Sequence, residues 1–147
     1  MSSTTQAATH AEVVQDIYEA FGRGDVPAIL GPLADDVRWD HWPDSFAQRA
    51  GVPWLRPRVG HGQVAEFFAV IGTWEISDFQ VLDVLASDTQ VAVQVVMEAR
   101  HASGGAFRDE ELHVWTFGPD GSITALRHYV DTAKHIAAAA GEDTTTR

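Results

Sequence analysis

The sequence predicts an α+β domain, with helices gathered on one face of an antiparallel sheet. Three observations carry that reading. Apolar residues recur at helical spacing through the first half of the chain. After Trp74 the period drops to two over four successive segments. The segments are separated by short turns, which force neighbouring strands to run antiparallel.

Thr9-His10-Ala11-Glu12 has the form of a capping box, with Thr9 as N-cap. Behind it Val13, Val14, Ile17, Tyr18 and Phe21 form one apolar stripe, ended by Gly22 and Gly24. Asp25 caps a second, short helix with Pro27 in its first turn. Val37 to Trp42 reads as a strand. Pro43 to Gly62 carries three prolines together with Phe46, Trp54 and Leu55. Such a segment is either a binding loop or a surface loop whose aromatics cover the core edge. Gln63 to Gly72 reads as a third helix.

Phe79–Ala86, Val91–Ser103, Phe107–Phe117 and Ile123–Val130 read as strands. Ser87-Asp88, Gly104-Gly105 and Pro119-Asp120-Gly121 are the turns between them. Asp131 or Thr132 caps a last helix through Ala140. The expected organisation is a flexible tail over 1–8, one domain over 9–140, and a polar, frayed tail over 141–147.

Composition narrows the function classes. The chain has 147 residues, with 10 Lys+Arg against 21 Asp+Glu and a formal charge of −11. An acidic surface repels phosphate backbones, so neither nucleic acid nor an anionic membrane is an expected partner. No run approaches a membrane span and the start does not resemble a secretory signal, so a cytoplasmic location is expected. With no Cys, disulfides and thiol chemistry are excluded. The His residues lack zinc-site spacing and no phosphate-binding Gly-rich loop is present; no metal and no cofactor are expected.

Several stretches, in order from residue 13 to 131, resemble the SnoaL-like branch of the nuclear transport factor 2-like superfamily. They are Ile17 to Val26 (IYEAFGRGDV), Leu33 to Trp39 (LADDVRW), Gly60-His61-Gly62, His113 to Phe117 (HVWTF), and Ile123 to Asp131 (ITALRHYVD). The resemblance implies a cone: a curved sheet wrapped by three helices and a short C-terminal one, around a pocket for a small apolar or aromatic ligand. It also implies a homodimer through the outer sheet face, for which Leu112, Val114 and Val93 supply apolar members.

Alternation puts Glu111, His113, Trp115 and Phe117 on one face of their strand, and Leu126 and His128 on one face of the last. Polyketide cyclases of this group present a His from the penultimate strand, which His113 matches, and an acidic residue from the last, where His128 stands instead. Epoxide hydrolases of the fold also carry a carboxylate there, after an Arg matched by Arg127. Ketosteroid isomerases carry their base where His41 falls, beside Asp40, and their oxyanion Tyr at Ile17, next to Tyr18.

His128, His113, His41 and Asp40 are therefore the candidate catalytic residues. An imidazole both takes and gives a proton near neutrality. Tyr18, Trp39, Trp42, Trp54, Phe68, Glu111, Trp115 and Leu126 are the candidate pocket, because aromatics make rigid apolar walls. The implied activity is cofactor-free proton transfer on a carbonyl-bearing apolar molecule, of the isomerase, cyclase or lyase kind. A non-catalytic binder and a limonene-type epoxide hydrolase are the alternatives.

Overall fold

A computed structural model describes residues 3–146. Its elements are α1 (Ser3–Gly22), α2 (Val26–Leu30), β1 (Leu33–Trp39), α3 (Phe46–Arg49), a 3₁₀ turn (Pro53–Leu55), β2 (Arg58–Val59), α4 (Gly60–Ile71), β3 (Glu75–Ala86), β4 (Gln90–Arg100), β5 (Ala106–Phe117), β6 (Ile123–Tyr129) and α5 (Thr132–Ala139). The six strands form one sheet in the order β2-β1-β6-β5-β4-β3. Neighbours pair antiparallel except β1 with β6, which run parallel. The α+β architecture stands as the sequence predicts. Among the described residues, no helix is long and apolar enough to cross a membrane.

The inner sheet face carries the core. Val91, Val93, Val95, Met97 and Ala99 of β4 alternate inward, as do Phe107, Trp115 and Phe117 of β5. Val93 is fully buried there, which corrects its expected place on the outer face; Leu112 and Val114 stay half-buried on the opposite side. Val14, Ile17, Val64 and Phe67 from α1 and α4 close the core from the other layer.

Both ends of the chain depart from the sequence reading. Helix α1 begins at Ser3, and the Thr9 hydroxyl donates back to the Thr5 carbonyl (3.0 Å) instead of capping. The expected tail over 1–8 is thus helical from residue 3, while residues 1 and 2 lie outside the described set. At the other end the polar segment does not fray but docks along β5. Ala106 N–H donates to the Glu142 carbonyl (3.0 Å), and Thr144 N–H to the Ala106 carbonyl (2.8 Å). Thr144 is 1% exposed, with its hydroxyl on the same carbonyl. Backbone pairing explains this: the start of β5 has free backbone groups, and the polar tail supplies their partners. Gly105 permits the close approach, because a Cβ there would collide with the Ala138 carbonyl of α5.

The Pro-rich stretch is ordered by short elements. Pro53 starts the 3₁₀ turn, and Trp54 and Leu55 are buried. Gln48 Nε2 donates to the Asp40 carbonyl (2.7 Å) and the Leu55 carbonyl (3.0 Å), stitching the loop to the end of β1. Asp25 and Asp131 cap α2 and α5 as predicted, accepting from Ala28 N–H (3.2 Å) and Lys134 N–H (3.4 Å).

Candidate functional site

Between the sheet and the helices lies a hollow of about 70 Å³, room for roughly five waters or a small ring. Its walls include Tyr18, Phe21, Trp39, Trp54, Phe67, Phe68, Trp74, Phe79 and Trp115. Phe21, Phe68 and Phe79 also line an apolar groove open to the surface between α1, α4 and β3. The same side chains therefore stand between solvent and the interior. The polar side chains on the wall are Tyr18, Glu111, His113, His128 and His135.

His113 and His128 face each other across the β5–β6 ladder, with ring centroids 4.7 Å apart. Every nitrogen of His113 is used. The Trp115 indole N–H donates to the Tyr18 oxygen (3.2 Å), and the Tyr18 hydroxyl meets His113 Nδ1 at 2.6 Å. His113 Nε2 meets Glu111 Oε1 at 3.0 Å. A carboxylate only accepts, so His113 carries a proton on Nε2; with burial disfavouring a second ring proton, Nδ1 accepts the Tyr18 O–H and the chain runs Trp115 to Tyr18 to His113 to Glu111. His113 is then neutral. Burial holds its pKa below the ordinary imidazole value, despite the Glu111 hydrogen bond. Burial likewise raises Tyr18, which stays protonated.

Glu111 is the anionic hub of the floor. Burial alone would raise its pKa, but hydrogen bonds from His113 and His135 outweigh that and hold it well below the carboxylate range. His135 Nε2 lies 2.8 Å from Asp109 Oδ2 and 3.3 Å from Glu111 Oε2. Its Nδ1 accepts the Trp54 indole N–H at 2.9 Å. With Nδ1 accepting, the neutral ring carries its proton on Nε2, while the hydrogen bonds and charge of Asp109 and Glu111 outweigh burial and raise its pKa to about 9. Burial raises the Asp109 pKa to about 6, and Asp109 also hydrogen-bonds Glu111.

Asp109, Glu111 and His135 have the donor types of a cation site, with ligand atoms within 4.8 Å of one another. The tautomer does not suit a metal. A ligating imidazole donates through its other nitrogen, whereas Nδ1 here accepts.

His128 is different. Asp40 Oδ1 accepts its backbone N–H (2.7 Å) and Oδ2 its ring Nδ1 (2.7 Å). Nε2 has no hydrogen-bond partner among the described residues. Burial disfavours a charged His128, but the charge and hydrogen bond of Asp40 outweigh it, so its pKa is raised. Asp40 is 1% exposed and holds a left-handed backbone, φ 57°, a conformation that Asp adopts more readily than most residues. Gln48 fixes its carbonyl, and its N–H donates to the Leu126 carbonyl (2.8 Å).

That same turn corrects two sequence expectations, and core packing a third. The turn breaks the strand alternation, so His41 leaves the hollow: its Nε2 bonds the Arg58 carbonyl (2.8 Å), and it lines an outer groove with Arg38 and Arg127. Trp42 does not line the hollow either but stands against the Arg127 guanidinium (4.5 Å) and the Tyr129 ring (4.9 Å), in a second, open cleft that His128 also borders. Leu126 is fully buried in the core but does not line the hollow. Tyr18, Trp39, Trp54, Phe68, Glu111, Trp115, His113 and His128 all do. Asp40 sits behind His128. Sequence reasoning missed Asp109 and His135. The buried face of α5, His135 and Ala138, was the available signal.

The sequence profile of the SnoaL-like domain matches residues 14–126. No curated protein matches the chain. Among solved structures, an NTF2-like protein from Burkholderia xenovorans LB400 is 25% identical, with a TM-score of 0.75 over 95% of this chain and 98% of that one. TerC, co-crystallised with polyporic acid, is 22% identical, with a TM-score of 0.72 over 89% of this chain and 98% of its own. A Mycobacterium tuberculosis protein in complex with estradiol-17β-hemisuccinate is 20% identical, with a TM-score of 0.64 over 87% of this chain and 94% of its own.

Proposed function

This chain belongs to the SnoaL-like domain family, and on that premise we propose that it catalyses proton transfer on a small cyclic carbonyl compound, with His128 as the base. One observation carries the reading: of the imidazoles on the wall, His128 alone combines a nitrogen held by a carboxylate with a nitrogen that has no partner. The apolar walls supply the binding energy, and fold neighbours hold small organic molecules. His128 Nε2 removes a proton next to the carbonyl. Asp40 keeps the proton on Nδ1, so the lone pair stays on Nε2, and offsets the charge of the imidazolium that forms. Return of the proton to another carbon makes an isomerase; loss of a leaving group makes a lyase.

The test is α-proton exchange of cyclohexanone in deuterium oxide, followed by NMR. The wild type accelerates exchange, and His128→Gln loses about 10²–10⁴-fold of that acceleration. An undiminished rate in H128Q contradicts the assignment. A symmetric dimer through the outer sheet face, around Leu112 and Val114, belongs to the same proposal; a single-chain mass in light scattering would exclude it.

A further inference from the structure

Proton abstraction beside a carbonyl loads negative charge on the oxygen, and some donor must meet it. Tyr18 is not free for that task, because its proton is committed to His113. His113 directs its own N–H to Glu111. The Trp54 and Trp115 indoles are also spent, on His135 and Tyr18.

The Trp74 indole is only half-buried, whereas the Trp39 indole is enclosed. It is 1% exposed and lines the hollow, yet its Nε1–H has no acceptor among the described residues. An indole nitrogen only donates, so no change of tautomer can satisfy it. A buried donor left unpaired is costly and uncommon. Its surroundings offer no relief: Trp39 meets the rings of Phe67, Phe68 and Trp115 at 5.4, 5.9 and 5.7 Å. The remaining ring neighbour is His128, at 5.7 Å.

We propose that Trp39 Nε1–H is the hydrogen-bond donor for the ligand's carbonyl oxygen, setting the adjacent C–H against His128 Nε2. This deepens the reading above and rests on the hollow being the ligand site. It also fixes the ligand class. One neutral donor among aromatic rings suits a neutral acceptor, a ketone or aldehyde oxygen. A carboxylate is disfavoured, since it would lose its hydration for a single N–H while sharing the hollow with ionised Glu111. A pure hydrocarbon leaves the donor unpaired.

The full chain is titrated by NMR with cyclohexanone and with methylenecyclohexane, which has the same shape but no acceptor. In the wild type, cyclohexanone shifts the Trp39 indole N–H resonance downfield and methylenecyclohexane does not. Trp39→Phe, which keeps an aromatic ring but removes the donor, weakens cyclohexanone binding by roughly three- to tenfold, with methylenecyclohexane changed less than about twofold. Equal loss for both ligands, or an indole resonance that cyclohexanone leaves unmoved, overturns the proposal; the resonance readout needs only the wild type. The two readings fail separately. If Trp39 has no ligand role, cyclohexanone binding is unchanged in W39F while exchange still depends on His128. If His128 is not the base, H128Q keeps its exchange rate while the ketone still shifts the Trp39 resonance.

Discussion

His113 and His128 are the same residue type, paired across adjacent strands, with side chains 8% and 11% exposed. Their chemistry is opposite. His113 is closed at both nitrogens and pushed below the ordinary imidazole pKa; His128 is held at one nitrogen, open at the other, and pushed above it. Burial acts on both in the same direction, so it does not separate them. The partners do. Glu111 spreads its negative charge over His113, His135 and Asp109, while Asp40 hydrogen-bonds one imidazole alone. A shared carboxylate makes a rigid floor, and a dedicated one makes a poised base.

The sharpest way to break that contrast is turnover. H128Q removes the open nitrogen and the 10²–10⁴-fold acceleration expected of a general base, with urea denaturation showing a stability loss of about 1 kcal/mol. His113→Phe reverses the ranking. It leaves the Tyr18 hydroxyl without an acceptor and removes a donor from buried Glu111, at a cost of about 3 kcal/mol in the same denaturation experiment.

Asp40→Asn sharpens the comparison through pH. A base is active when deprotonated, so exchange rises as pH climbs through the His128 pKa. Removing the Asp40 charge lowers that pKa, moves the acidic limb of the pH–rate profile to lower pH, and reduces the maximum rate. Stability has the opposite sign. A raised folded pKa stabilises the protein below the unfolded imidazole value, about 6.5, and that contribution fades as pH rises through the folded pKa. D40N therefore loses stability chiefly at low pH. The smallest effect belongs to Trp54→Phe, which removes the indole N–H from His135 Nδ1 and with it the contact that opposes a second ring proton. The expected stability loss is about 1 kcal/mol, together with a higher His135 pKa in a histidine NMR titration.

Alternation within strands was legible in the sequence and grouped Glu111, His113 and Trp115 on one face and His128 on one face of the last strand; the period did not say which face is inner, and the structure lines the hollow with all four. The resemblance supplied the cone and the importance of the last two strands. What failed was local: the left-handed turn at Asp40, which takes His41 and Trp42 away from the hollow, depends on pairing with Leu126 and on Gln48 from the short helix α3. No periodicity encodes either contact. Asp109 and His135 escaped for a related reason. Their partnership exists only once α5 folds back on β5, and that docking needs Gly105 and the returning tail. Thr144 looks like disordered polar sequence until Ala106 offers it a backbone partner.

The most direct test is a long-range ¹H–¹⁵N NMR titration of the histidine ring nitrogens in the wild type and D40N. The account predicts a His128 midpoint above about 6.5 that drops when Asp40 is neutralised, beside a His113 that remains neutral with its proton on Nε2. A His128 midpoint at or below the ordinary value, or one that D40N does not move, would contradict it.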